Sequence, residues 1–433
     1  TTLNMKMQQY AEEAMINHLK NDLQPAFFRE KKGRTLAPFE GITRQEVDDI
    51  MMRAIRQSER YKKLRARKMP EDSIMMAFKE KHETQIFTWN GVVDTVMSSY
   101  DSIRYLKYIF RSGFMAMEPW TGHVKAYVGD HNYRYFQYDH VTQGRRQVGS
   151  TVKPFLYLLA MDEGVSPCKR IPLVATSFPT ADSVYTPRAT PPNPHAGKYV
   201  TLKWGLANSH NWVSAWLFKN YHPENVIKYM RKMGITSPID AVPSMIYGPS
   251  DISLEEMVGA YNTFSNQGIY VSPVYVTRIE DKYGNVISTF HAREVEAISA
   301  ETAYLMVTLL EGVVNHGTAR KLRWLYNFSG EMAGKTGTTQ NQSDGWFMGI
   351  TPQLSAGVWV GCEDRAAHFD QLGMGAGGVM ALPIWAEFFE KVYADTTLGI
   401  TQEEIFRKPP GFRVDLDCVD ITDKPNETDY SNL

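Results

Sequence analysis

Apolar residues recur at helical spacing near the start of the chain. Met7, Ala11, Ala14, Met15 and Leu19 line one face of residues 4–22, and Asn21-Asp22 with Pro25 predict the end of that helix. A second helical pattern covers 44–68, with Thr43 placed as its cap, Glu46 completing a capping box, and Val47, Ile50, Met51, Ala54 and Ile55 as its apolar face. Alternation on either side of Asn90-Gly91 predicts a hairpin over 84–100. A helix over 101–111 leads to strands at 114–118 and 123–128, joined by a turn at 119–122. After Gly149, a helix beginning at Ser150 carries Phe155, Leu156, Leu158, Leu159 and Met161, apolar nearly all round and therefore buried. Pro154 fits its first turn, where backbone N–H groups lack partners in any case, and Gly164 predicts its end.

Residues 171–200 are rich in Pro, Ala, Ser and Thr and show no period, which reads as a long loop. Helical segments fill 201–265, and a hairpin pairs 271–280 with 285–290. A helix over 300–314 precedes strands at 330–339, 345–350 and 354–361, and a helix over 382–394 closes the pattern. The last 24 residues, from Pro410, are acidic and turn-rich and read as a tail. Strands from both ends with helices inserted between them predict an α+β fold built on a mainly antiparallel sheet.

Composition narrows the function. The 433 residues suffice for two or three domains, and 43% hydrophobic content with 12% aromatics is ordinary for a globular protein. A net charge of −1 leaves no basic excess to meet phosphates, which argues against a nucleic-acid partner. The basic run over 53–68, opposed only by Glu59, reads as a solvated helix face. Cys168, Cys362 and Cys418 are odd in number and far apart, with no metal spacing and no obvious disulfide framework. Eleven histidines show no paired ligand spacing, so neither a metal nor a cofactor is expected. No apolar run reaches the roughly eighteen residues a membrane span requires. The opening Thr-Thr-Leu-Asn has neither methionine nor signal peptide and reads as the start of an excised fragment, so a missing anchor does not imply the cytoplasm.

The chemistry-bearing residues fall in three places. Ser150 and Lys153 share a helix face at its N-terminal end, and burial there favours the neutral amine, which is how a serine can be activated without histidine. The S-x-x-K pattern alone is expected about once by chance in such a chain. It recurs at Ser166–Lys169, without the preceding glycine or the apolar helix. Ser209-His210-Asn211 lies 59 residues after Ser150, between helical segments, and Lys335-Thr336-Gly337-Thr338-Thr339 lies a further 126 residues on, on the strand at 330–339. Lys-Thr-Gly is expected only ~0.05 times by chance, so the ordered set is a strong signal.

In these motifs the chain resembles the penicillin-binding transpeptidase family. Gly-Arg-Arg-Gln-x-Gly-Ser-x-x-Lys-Pro-Phe at 144–155, Ser250-Asp251-Ile252-Ser253-Leu254-Glu255, Asp344-Gly345-Trp346-Phe347 and Ala381-Leu382-Pro383-Ile384-Trp385 are similar to its class A, bifunctional branch. Val148 stands where proline is usual, and His210 is an uncommon middle residue. The resemblance covers about 112–395 and implies a linker region over 1–110, following a missing glycosyltransferase domain, a transpeptidase domain over 111–400 and a tail over 401–433. The implied architecture is the serine penicillin-recognising fold, a five-stranded antiparallel sheet flanked by helices with a helical subdomain.

The resemblance also implies roles. Ser150 attacks the D-Ala-D-Ala bond of a peptidoglycan stem peptide, and Lys153 accepts its proton. Ser209 relays a proton, and Asn211 holds Lys153 and the substrate amide. Lys335 is the second cation; Thr336, Gly337 and Thr338 bind the substrate carboxylate, and the backbone N–H groups of Ser150 and Thr338 form the oxyanion hole. β-Lactams are expected to acylate Ser150. The full-length protein is expected at the outer, periplasmic face of the bacterial cytoplasmic membrane, touching it only through its missing N-terminal part. The alternatives are a D,D-carboxypeptidase or β-lactamase, in which water resolves the acyl-enzyme, and a non-catalytic β-lactam sensor. Neither S-D-N nor a recognisable deacylating glutamate is present.

Overall fold

The computed structural model describes residues 1–179, 184–188 and 193–424. Its centre is a five-stranded antiparallel sheet of β1 (Phe110–Met117), β2 (Val124–Val128), β3 (Ala333–Thr338), β4 (Asp344–Ile350) and β5 (Ser355–Cys362). The spatial order is β3-β4-β5-β1-β2, so the central pairing joins β5 to β1, with Val358 opposite Phe114. Every residue of β1, β4 and β5 is buried. These strands show no alternation of buried and exposed residues, because helices cover both faces of the sheet.

On one face lie α1 (Met5–His18) and, against it, α5 (Leu382–Ala394). Phe388 of α5 packs on Phe114 with ring centroids 4.7 Å apart. Trp385 lies so close to Gly349 of β4 that a β-carbon there would come within 2.5 Å of its ring. On the other face, α3 (Leu254–Ser265) packs over β5 and β1. Beside it, α4 (Ala300–Asn315) runs along β3 and against α2 (Lys153–Asp162). A capping box of Ser253 and Glu256 starts α3.

Residues 1–110 divide in their packing. α1 belongs to the sheet, whereas the helices Arg44–Gln57, Glu59–Ala66 and Glu71–Lys79 gather around their own small core of Ile55, Ile74 and Phe78. The helix expected to end before Pro25 instead continues through a wide π turn, Leu19–Leu23, into Gln24–Lys31. The wider turn absorbs the hydrogen bond that proline cannot donate. The helix expected over 44–68 breaks at Ser58, whose hydroxyl caps the second piece by accepting from Tyr61 N–H. The expected hairpin forms, pairing Lys81–Thr88 with Gly91–Ser98, and its turn is Trp89-Asn90, one residue before the Asn90-Gly91 expected. Trp89 at its tip stacks on His131 at 4.5 Å, joining this region to the sheet-bearing part. Buried Lys31 meets Asp370 and Glu30 in a second junction, with Arg34 also bound to Asp370.

The cysteines depart from expectation as well. Cys168 and Cys418 form a disulfide across 250 residues, leaving Cys362 buried and free. Sequence spacing could not show it, because only the fold brings the C-terminal segment back. Ile421–Thr422 there pairs with Tyr199–Val200, so the segment read as a tail is anchored beside the loop that precedes Ser209. We expect unfolded, unreduced protein to titrate one thiol and reduced protein three. Cys418→Ser should lower stability by about 2–4 kcal/mol in denaturant unfolding.

Candidate active site

The strand Arg145–Gln147 pairs with Asp251–Ser253 and delivers the chain to Gly149, whose φ is +53°. A β-carbon on Gly149 would lie 2.7 Å from Thr338 O, so only glycine permits this approach to the end of β3. Ser150 follows, half-buried, in a 3₁₀ turn over Gly149–Val152, and the α-helix proper begins at Lys153. That helix is buried from Lys153 to Met161, which places the amine fully inside the protein.

Lys153 Nζ donates to Ser209 O at 2.5 Å, to Asn211 Oδ1 at 2.7 Å and to Ser209 Oγ at 3.3 Å. Lys335 Nζ, also fully buried, donates to the same Ser209 Oγ at 2.8 Å and to Thr336 O at 3.0 Å. The three predicted motifs therefore meet at one hydroxyl. Ser209 sits between the helices Leu202–Ala207 and Asn211–Phe218 with φ +54°, a left-handed conformation that a serine adopts only where its surroundings compel it.

Burial lowers the Lys153 pKa far below its ordinary value, and the charge of Lys335 lowers it further. Burial brings Lys335 down to about 7. Among the described residues no carboxylate pairs with either amine; their acceptors are neutral oxygens. His210, between Trp204 and Trp212, is brought to about 4 by burial and then by the Lys153 charge, so it is neutral near pH 7.

Several contacts had no signal in the sequence. Thr318, just beyond α4, shares a hydrogen bond with Thr336 Oγ1 at 2.7 Å. Gly377 N–H donates to Thr338 Oγ1 at 2.9 Å. The Arg188 carbonyl, from the loop expected over 171–200, accepts from Asn211 Nδ2 at 2.9 Å, which leaves the second N–H of that amide for another acceptor. The Ser166–Lys169 repeat of the pattern lies elsewhere, with Lys169 over the Trp216 ring. No group of His, Cys, Asp and Glu that could hold a metal ion occurs among the described residues.

The family model of the penicillin-binding protein transpeptidase domain matches residues 112–370, more than half of the chain. The chain belongs to the penicillin-binding protein transpeptidase family. Residues 34–110 match the penicillin-binding protein middle domain. Penicillin-binding protein 2D of Bacillus subtilis (strain 168) is 30% identical over 306 residues, which cover 69% of this chain and 42% of that protein. Penicillin-binding protein 1A of Rickettsia bellii (strain RML369-C) is 27% identical over 439 residues, 91% of this chain and 54% of that one. The chain thus spans about half or less of these relatives. In fold, it resembles penicillin-binding protein 1A from Haemophilus influenzae with a TM-score of 0.68 at 18% identity, over 95% of this chain and 68% of that one. It also resembles PonA1 from Mycobacterium tuberculosis in complex with penicillin V, with a TM-score of 0.57 at 19% identity, over 84% and 96% of the two chains. Among the described residues no helix is long and apolar enough to cross a membrane.

The paired amines carry a stability signature. Lys335 is held at about 7 against an ordinary 10.5, so between these values the unfolded chain binds more protons than the folded one. Stability contributed by this site must therefore rise with pH across that window, by up to about 1.4 kcal/mol per pH unit. Urea unfolding of the parent and of Lys335→Met at pH 7 and pH 9 should show a parent deficit that shrinks at the higher pH.

Proposed function

We propose that this chain is a peptidoglycan D,D-transpeptidase working through an acyl-serine intermediate at the outer face of the cytoplasmic membrane. The observation that carries the reading is Ser209 Oγ shared by two buried amines, one of them depressed far enough to be a base. Ser150 Oγ attacks the carbonyl of the penultimate D-alanine while its proton passes to neutral Lys153. The Oγ–C bond forms, and the resulting oxyanion lies between the backbone N–H groups of Ser150 and Thr338. The C–N bond then breaks, and the proton returns through Ser209 to the departing D-alanine amine. An amine from a second stem peptide attacks the ester, forming the cross-link and restoring Ser150.

Lys335, the second cation, draws the terminal carboxylate, with the Thr336 and Thr338 hydroxyls beside it. Asn211 steadies Lys153 through Oδ1 and meets the substrate amide with the Nδ2 hydrogen that the Arg188 carbonyl leaves free. A β-lactam presents a strained amide in place of the D-Ala-D-Ala bond. Its ring C–N bond opens, but the amine stays tethered and shields the ester. The cysteine bridge suits an oxidising compartment outside the cytoplasm.

Incubation with benzylpenicillin should give a single persistent adduct by intact-protein mass spectrometry, absent from Ser150→Ala. No adduct on folded parent protein would sink the reading, and loss of the adduct within minutes would indicate a β-lactamase. With a D-Ala-D-Ala peptide and an amine acceptor, the cross-linked product should form; exclusive release of D-alanine would indicate a carboxypeptidase. The acylation rate should be bell-shaped in pH, rising as Lys153 deprotonates and falling above about 7 as Lys335 loses its charge.

A further inference from the structure

The two halves of the oxyanion hole come from distant parts of the chain, and a buried ion pair lies behind their junction. Arg146 stands four residues before Ser150, and Asp344 opens β4 six residues after Thr338. Arg146 Nε donates to Asp344 Oδ1 at 2.6 Å, and Nη1 donates to the Glu363 carbonyl at 3.1 Å. The guanidinium lies 4.8 Å over the Trp359 ring, and Trp359 Nε1 donates to the same Asp344 oxygen at 3.0 Å. The Asp344 side chain is wholly buried; its second oxygen accepts from Ser343 Oγ at 2.8 Å and Thr339 Oγ1 at 3.3 Å.

The backbone is tied as well. Asp344 N–H donates to Thr339 Oγ1 at 3.0 Å, and its carbonyl accepts from Thr339 N–H at 3.2 Å. A parallel link runs from Trp346 Nε1 to the Gln147 carbonyl at 2.7 Å. The segment entering Ser150 and the strand leaving Thr338 are therefore fastened twice, on the flank of the close approach between Gly149 and Thr338.

No step of the reaction uses this carboxylate. A fully buried charge is costly to keep, and removing one partner leaves the other uncompensated, so packing alone gives it no clear advantage over an apolar pair. A directional, fourfold-bonded carboxylate does fix distances. Oxyanion donors act only when both lie about 2.7–3.1 Å from the developing charge, and a misplacement of about 1 Å can cost roughly a hundredfold.

We propose that Arg146 and Asp344 are positioning residues that set the spacing of the Ser150 and Thr338 backbone N–H groups, and with it the rate of acylation. The inference rests on the serine-acylation reading of the site. Its test is the concentration dependence of benzylpenicillin acylation, followed by quenched-flow mass spectrometry on the parent, Asp344→Asn and Arg146→Lys. Saturation separates non-covalent affinity from the maximal acylation rate, and the final adduct counts folded sites. Unfolded molecules thus lower the amplitude and not the rate constant.

Arg146→Lys keeps the positive charge but loses the planar fork, and it decides the matter if Asp344→Asn does not fold. Its maximal rate should fall about tenfold or more while the apparent affinity moves less than about threefold. A maximal rate within about twofold of the parent, whatever happens to the melting temperature, overturns the positioning role. A parent that forms no adduct overturns the underlying reading instead.

Discussion

The expulsion of water from two ammonium groups is the constraint on which the site depends. Lys153 and Lys335 lie fully buried on either side of one hydroxyl, and their acceptors are neutral oxygens. Taking a single unpaired charge out of water costs several kcal/mol, and two like charges cost more together than apart. Burial and the neighbouring charge both favour the neutral form of Lys153, and in the function proposed above that neutral amine is the base. The same arrangement opposes folding, as does the left-handed backbone at Ser209. A large core offsets both: α2 buried from Lys153 to Met161, three strands buried at every residue, and helices on both faces of the sheet.

Position in the sheet explains how the parts meet. β3 is an edge strand, paired in the sheet with β4 alone among the described residues, so its outer side faces the turn that carries Ser150. The helical insertion between β2 and β3 supplies both that turn and Ser209, and α4 returns the chain along β3. Ser209 can meet Lys153 and Lys335 together only because insertion and sheet share one core.

Much of this was legible in the sequence where period and spacing were strong. The helix over 382–394, the strands near 345 and 355 and the Thr43–Glu46 capping box could be read to within a residue or so, because local pattern and final burial agree there. Motif order also foretold that Lys153, Ser209, Asn211 and Lys335 come together. Contacts set by tertiary approach were not legible. Thr318 reaches Thr336 only because α4 ends beside β3, and the Arg188 carbonyl reaches Asn211 through a loop with no period to read. The Cys168–Cys418 bridge was missed for the same reason, and the helix break at Ser58 because polar residues on either side kept the apparent helical period going.

The central strand pair has a consequence for how such a chain is made. β1 is emitted from the ribosome well over two hundred residues before β5, its partner, and buries every one of its side chains. Its other neighbour, β2, follows at once, but for most of synthesis the edge that β5 will take stays open. Such a chain is exposed to mispairing until its C-terminal third emerges.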